Sequence, residues 1–223
     1  MVENNDKNIP TLGAIRRLGK YLQILLSLRN EESEFVSASR LSRELGIHET
    51  QIRRDLALTG CEGRPKVGHN RDELIWAIQN YLNLNNTNDA FLVGAGHLGN
   101  ALLAYNAHGR FSSTGIKIIA AFDINPAVVG QKIHGIEVFH LSKMRNLAKR
   151  MGVHVGIITT SPESAQEVAD LMVEAGIIGI WNFALSNLNL PSHIILENAE
   201  MESGLAIISR RLKEQLRNNS QRR

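Results

Sequence analysis

The chain predicts an α/β protein: a helical N-terminal domain of helix-turn-helix type, then a doubly wound parallel sheet, then one long C-terminal helix. Three observations predict it. Phe91-Leu-Val-Gly94-Ala-Gly96-His-Leu-Gly99 runs an apolar strand into three glycines and straight into a helical pattern. From Ala90 onward, short apolar runs alternate with helical segments, as strands of a sheet covered on both faces do. Before that, residues 37–58 hold two short helical patterns around Gly46-Ile47.

The N-terminal elements follow from periodicity and caps. Residues 1–10 read as disordered. From Thr11 to Arg29, Leu12, Ile15, Leu18, Leu22, Leu25 and Leu26 recur at three- and four-residue steps, which predicts an amphipathic helix. Phe35-Val36 reads as a short strand. Ser37 or Ser39 caps a helix through Leu41 and Leu45 that Gly46 ends, and a second helix spans Glu49 to Leu58. Gly60 to His69 is a glycine-rich hairpin or loop, and Asp72 to Leu82 is another helix. The polar run Asn83 to Asp89 is a linker. These readings give a winged-helix domain over 11–83.

The next domain covers 84–198. Strands are expected at Ala90–Gly94, Ile116–Phe122, Glu137–Phe139, Val155–Thr160, Ile177–Phe183 and Ile194–Glu197. Helices are expected at Leu98–Ala107, Leu141–Arg150 and Pro162–Ala175. A last helix over 199–216 lies outside the βα repeat, and 217–223 is a basic tail.

Composition narrows the function classes. Hydrophobic residues make up 43% and charged residues 21%, ordinary values for a globular protein. No apolar run is long enough to span a bilayer, and the polar start Met1-Val-Glu-Asn-Asn-Asp does not read as a signal peptide. The lone Cys61 excludes an intrachain disulfide and fits a reducing cytoplasm. No Cys/His grouping has zinc spacing. The net charge is +3, but residues 37–71 hold seven Lys/Arg against four Asp/Glu, a surplus suited to phosphate.

The glycine segment carries chemistry. Gly94 permits a tight turn, Gly96 lets backbone approach a pyrophosphate, and Gly99 lets helix and strand pack closely. Phosphates then sit on the amides of a helix N-terminus, at Ala95, His97 and Leu98. Asp123 lies 24 residues past Gly99 at the end of the next strand, placed for a ribose 2′-hydroxyl and against a 2′-phosphate. This is a Rossmann-like cradle for NAD(H). Thr160, at the end of a neighbouring strand, and Tyr105, on the helix after the glycines, join the expected cofactor contacts.

The N-terminal domain reads as a DNA binder. In a helix-turn-helix the second helix enters the major groove, and here its start offers Thr50, Gln51, Arg53 and Arg54. Gln pairs bidentately with adenine and Arg with guanine. Gly63-Arg64-Pro65-Lys66-Val67-Gly68 reads as a wing, with Arg64 and Lys66 near phosphates. The same residues also fit a small helical bundle with solvated arginines.

From about Thr11 to Leu212 the chain resembles the Rex family of redox-sensing transcriptional repressors. The resemblance rests on Gln51-Ile-Arg53-Arg54-Asp55-Leu56, Gly63…Val67-Gly68, Gly94-Ala-Gly-His-Leu-Gly99, Phe122-Asp123-Ile-Asn-Pro126…Val129-Gly130 and Gly176…Gly179-Ile-Trp-Asn182-Phe183-Ala184. It implies a homodimer on an inverted-repeat operator, with Rossmann domains that compare NADH with NAD⁺ and a C-terminal helix exchanged between subunits. It also implies a polar switch, here at Gln23, Tyr105 and Glu200; of these only the tyrosine matches the family pattern. Ala57-Leu-Thr-Gly60 and Pro65-Lys-Val-Gly68-His69 stand where the family has Ser-Tyr-Phe-Gly and Arg-Gly-Val-Gly-Tyr.

The expected function is that of a repressor released from its operator when NADH fills the Rossmann domain. Phe183, Ala184 and the Met201 region would line an uncharged nicotinamide pocket, and each also fits plain core. Three other readings stand beside it: an NAD-dependent dehydrogenase with an appended helical domain, a repressor of this family without redox response, and a cradle for another nucleotide ligand such as coenzyme A. Against the dehydrogenase, His97, Lys132 and His134 have no obvious carboxylate partner for proton transfer.

Overall fold

The computed structural model describes residues 11–30, 33–111, 114–199 and 201–220. Residues 1–10, Glu200 and the end of the basic tail, all named above, lie outside the described residues. The chain divides into two units, one reaching to Thr87 and taking in residues 114–115, the other formed from Asn88 onward.

Periodic leucines build the first unit. α1 (Leu12–Ser27) buries Ala14, Leu18, Tyr21, Leu22 and Leu25, steps that lay one stripe on the core. Thr11 caps it, its hydroxyl accepting from Ala14 N at 3.3 Å. After a 3₁₀ turn comes β1 (Phe35–Val36). Ser37 caps α2 (Ala38–Leu45), Gly46 ends it in the left-handed region, and α3 (Glu49–Ala57) starts after His48. β2 (His69–Asn70) pairs antiparallel with β1, so the chain between α3 and β2 is held as a wing. Asn70 caps α4 (Arg71–Tyr81), its Oδ1 accepting from Asp72 N and Glu73 N. Leu18, Leu25, Leu41, Ile52, Leu74 and Ile78 are fully buried together at 0% exposure. Each contributes about 1.5–3 kcal/mol by leaving water.

One carboxylate sits beside this core. Asp55 is 2% exposed. Arg17 Nε and Nη2 donate to its two oxygens at 2.6 and 2.8 Å. Tyr21 Oη donates at 2.7 Å and Gln51 Nε2 at 2.9 Å. Burial alone pushes the Asp55 carboxyl up, but hydrogen bonds from Arg17, Tyr21 and Gln51 outweigh it and hold it below the usual carboxylate range. Burial, then the bond to Asp55, drives the Tyr21 phenol above its ordinary value.

The second unit is the expected doubly wound sheet. Its elements are β3 (Asn88–Val93), α5 (His97–Ala107), β4 (Ile116–Asp123), β5 (Lys132–Ile133), β6 (Ile136–His140), α6 (Met144–Met151), β7 (Val155–Ile158), α7 (Pro162–Glu174), β8 (Gly179–Asn182), β9 (Ile195–Asn198) and α8 (Met201–Ser220). The strand order is β5-β6-β4-β3-β7-β8-β9. All neighbours are parallel except β5, which runs antiparallel to β6. Phe91 and Val93 pack into one buried cluster with Met144 and Val168, while Ala90 and Leu92 pack into another with Leu103. This alternation along β3 is how helices come to cover both faces. The order reverses between β3 and β7, and ligands bind outside the carboxyl ends of strands at such a point.

Several element limits differ from the sequence-based expectation. β3 begins two residues inside the expected linker, because Asn88 and Asp89 pair through backbone with Ile116 and Lys117 despite their polar side chains. Lys132, outside every expected strand, forms β5: Lys132 pairs with Glu137 and Ile133 with Ile136. The hairpin turns on His134 and Gly135, both at positive φ (49° and 85°), as a tight two-residue turn requires. The helix expected from Leu141 opens as a 3₁₀ turn, with α6 proper starting at Met144. β7 stops at Ile158, which leaves Thr159 and Thr160 beyond the strand, and α8 runs on to Ser220.

The buried carboxylate gives the first unit a pH signature. A carboxyl held below its unfolded value stabilises the fold above about pH 4, and that contribution is lost as pH falls further. The gap in thermal midpoint between wild type and Asp55→Asn, followed by circular dichroism, is therefore expected to hold above about pH 5 and to close as pH falls from there to about pH 2. A gap that stays constant down to about pH 2 contradicts an ionised Asp55.

Candidate dinucleotide site and nucleic-acid interface

The glycine turn leaves the sheet at its switch point. Gly94 N donates to Phe122 O at 2.8 Å, the last rung of β3, and Gly94 then takes φ +102°. A Cβ there would lie 2.7 Å from the Thr159 carbonyl carbon, and one on Gly99 would lie 1.9 Å from Gly94 O. Both positions are closed to any side chain. Gly96, by contrast, faces open space, with nothing within 4 Å of where its Cβ would be. It is the N-cap of α5 and gives no side-chain cap. The first amides of α5 are thus without a capping side chain, and the helix dipole makes that end positive.

Two more elements converge there. Thr159 Oγ1 donates toward Val93 O and Gly94 O at 3.0 and 2.7 Å, pinning the turn to the end of β7. Thr160 Oγ1 is buried and has no hydrogen-bond partner among the described residues. A buried hydroxyl without a partner costs free energy, and a ligand that bonds it removes the cost. Asp123 closes β4: its Oδ2 accepts from Ala95 N at 2.7 Å and its Oδ1 from Asn125 N at 2.8 Å. The carboxylate therefore braces the glycine turn, and its remaining lone pairs are available to hydroxyl groups.

These groups share a cavity of about 350 Å³ lined by Gly94, Gly96, Asp123, Ile124, Thr160 and Glu167, among others. Of the other expected contacts, Ala95 is buried within the turn, and His97 and Leu98 form the first turn of α5. Tyr105, Phe183 and Ala184 do not line this cavity. Tyr105, 45% exposed, meets Phe111 edge-on at 4.9 Å between ring centroids, with the Arg110 guanidinium 5.8 Å away. Phe183 lies 4.5 Å from Trp181, and Ala184 N is held by Asn182 Oδ1 at 3.0 Å. Gln23 is exposed on α1; Glu200 and the Met201 side chain lie outside the described residues.

In the first unit, α3 is buried along Ile52, Asp55 and Leu56 and exposed along Thr50, Arg53, Arg54 and Ala57. Those spacings make one solvent-facing stripe. Arg53 pairs with Glu49 one turn back, its Nε at 3.1 Å. An exposed pair of this kind is worth about 0.3–0.5 kcal/mol, so a phosphate displaces Glu49 at little cost. Gln51 is different: its amide sits on the buried Asp55, and a hydrogen bond to a charge is worth about 1.5–3 kcal/mol. Thr50 and Arg54 side chains make no such bonds among the described residues.

The wing is a tight turn. Arg64 N donates to Gly68 O at 2.7 Å and Gly68 N to Arg64 O at 3.0 Å, with Lys66 at φ +63° at its tip. The Arg64 guanidinium lies 5.0 Å from the Phe35 ring centroid. Between wing and α3 runs a groove of about 900 Å³ bordered by Ser39, Glu49, Arg53, Arg64, Lys66 and His69. Burial, then the charge of Arg53, pushes the His69 imidazole down, so it adds no cation there.

Sequence reasoning missed Thr159, Ile124 and Glu167 at the cavity, and Arg17, Tyr21 and Asp55 behind α3. Thr159 had a signal: the strand beside the glycine strand at a switch point must end at the ligand.

Comparisons with known proteins follow the same division. Residues 8–57 match the family described as a putative DNA-binding protein N-terminus, and residues 85–186 match the CoA binding domain family. The redox-sensing transcriptional repressor Rex of Bacteroides fragilis is 35% identical over 211 residues, 95% of this chain and 94% of that protein. Among solved structures, RSP in complex with β-NAD⁺ and operator DNA is similar with a TM-score of 0.84 and 33% identity, covering 96% of this chain and 97% of that one. RSP in complex with β-NADH is similar with a TM-score of 0.85 and 32% identity over 96% and 99% of the two chains. With its fold and almost its whole length matched, the chain belongs to the Rex family of redox-sensing transcriptional repressors.

Proposed function

We propose that this chain is a homodimeric repressor whose recognition helices grip an inverted-repeat operator and whose Rossmann units release that grip when NADH binds. The observation that carries it is the orphaned Thr160 hydroxyl, in one cavity with Asp123 and Gly96 at the uncapped end of α5. The other unit of the same chain displays Thr50, Arg53 and Arg54 on one exposed stripe. RSP, the relative in complex with β-NADH or with β-NAD⁺ and operator DNA, supports joining the two.

The residues fit the group. The amides at the start of α5 face the pyrophosphate, and Asp123 holds ribose hydroxyls while opposing a 2′-phosphate. The same carboxylate disfavours coenzyme A, whose adenosine ribose carries a phosphate. The nicotinamide carries one positive charge when oxidised and none when reduced, and this is the difference the protein reads. Phe183 and Ala184, after β8, are the residues we assign to an uncharged wall on that side. The chain is a regulator and not an enzyme, a reading supported by its similarity over almost its whole length to the redox-sensing repressor Rex and to RSP in complex with operator DNA.

The apolar stripe of α8 supports the dimer. Leu205, Ile208 and Leu212 are 68%, 64% and 55% exposed at helical spacing. A second copy's Rossmann unit is the partner we assign to it. Two recognition helices then meet successive major grooves only at a half-site spacing of about 34–36 Å, or a multiple. A hundredfold loss of operator affinity on binding NADH needs about 2.7 kcal/mol of coupling. Gln23, Tyr105 and Glu200 are our candidates for the coupling. The cytoplasm, where DNA and the dinucleotide pool meet, is the compartment this function requires; among the described residues no helix is long and apolar enough to cross a membrane.

Two substitutions separate the halves. Arg54→Ala is expected to lower operator affinity by at least about tenfold with NADH affinity unchanged, by anisotropy and fluorescence titration. Loss of NADH binding instead contradicts the division of labour. Asp123→Ala removes the ribose acceptor and the brace on Ala95, so the NADH dissociation constant is expected to rise about 10–100-fold. That variant should then stay on the operator at NADH concentrations that release wild type; release at the same concentration refutes the reading.

A further inference from the structure

We propose that Asp55 is a positioning residue that fixes the recognition helix against α1, and that Gln51 serves this clamp as a strut instead of reading a base edge. The inference rests on the DNA-reading role assigned above to α3.

The geometry is a rectangle of four side chains. Arg17 and Tyr21 stand four residues apart on α1, and Gln51 and Asp55 stand four apart on α3, so each pair shares a helix face. Asp55 receives all the bonds: two from Arg17, one from Tyr21 and one from Gln51, at 2.6–2.9 Å. A carboxylate 2% exposed cannot turn to water if one bond breaks. Helix α3 is thereby fixed in rotation and in height against α1. A buried ion pair of this kind is poor evidence for net stability when compared with an apolar replacement, so its use is geometric.

The same bonds settle where Gln51 points. It is half-buried, on the edge of the face that carries Ile52 and Asp55, while Thr50, Arg53, Arg54 and Ala57 form the exposed stripe. Swinging its amide to a base would leave one side of a buried charge without its donor. Arg53, which among the described residues is held by an exposed pair with Glu49, has no such tie. Base reading by side chains of this helix is therefore left to Thr50, Arg53 and Arg54, and Ala57 lets the helix sit close to the groove.

The test uses full-length protein and a duplex selected from a random-sequence pool by the wild type. Operator affinity is measured by anisotropy on that duplex and on a panel with each base pair changed in turn. Circular dichroism at the assay temperature shows that each variant is folded. Gln51→Ala and Tyr21→Phe are each expected to lower affinity about three- to tenfold for every duplex alike, leaving the order of the panel unchanged. Arg54→Ala, by contrast, flattens the panel at one or two positions. NADH affinity stays within about twofold throughout. The clamp is overturned if Gln51→Ala erases discrimination at a single base pair, which is the mark of a base reader. It is equally overturned if Tyr21→Phe binds the whole panel like wild type. A wild-type protein that selects no duplex overturns the repressor reading as well.

Discussion

The second unit depends on how closely α5 approaches the end of β3. With Gly94 O where a Cβ of Gly99 would stand 1.9 Å away, helix and strand meet backbone to backbone. Only that contact brings the first amides of α5 to the carboxyl edge of the sheet. Thr159 then ties the turn to β7, and Asp123 ties it to β4 through Ala95 N. Three neighbouring strands so converge on one short turn, which hydrogen bonds brace from both sides. Binding energy is then available for discrimination and coupling, since little of it goes into ordering the loop.

The first unit applies the same logic with charge in place of contact distance. Its recognition helix carries both kinds of polar bond side by side. The pair Arg53–Glu49 is exposed and weak, so it costs little to break. The bonds on Asp55 are buried and mutually dependent. One set is disposable surface and the other is scaffold, and the difference follows from exposure alone. A repressor needs both: a helix whose placement does not drift, and side chains that are free to change partners.

Much of this was legible in the sequence because backbone demands leave marks. The glycines of 94–99 announce a close approach, and alternating apolar runs announce a covered parallel sheet. Ser37, Gly46 and the recognition helix after them follow local capping rules. The cluster around Asp55 escaped detection because it is non-local. Arg17 and Asp55 are 38 residues apart, and no local pattern links them. The one trace was a carboxylate placed between Ile52 and Leu56 on the core face of α3. β5 escaped because its turn uses a histidine at positive φ, where Asn or Gly is the usual signal. Gln51 has base-reading chemistry and the right helix, yet the structure puts its amide on Asp55.

The central claim is that a dinucleotide in one unit governs the grip of the other on DNA. Its most direct test is the affinity of the dimer for a fluorescent operator duplex at one stated salt concentration, measured without ligand, with saturating NAD⁺ and with saturating NADH. NADH is expected to raise the dissociation constant about a hundredfold, while NAD⁺ changes it by less than about threefold. The same constant in all three conditions would contradict it.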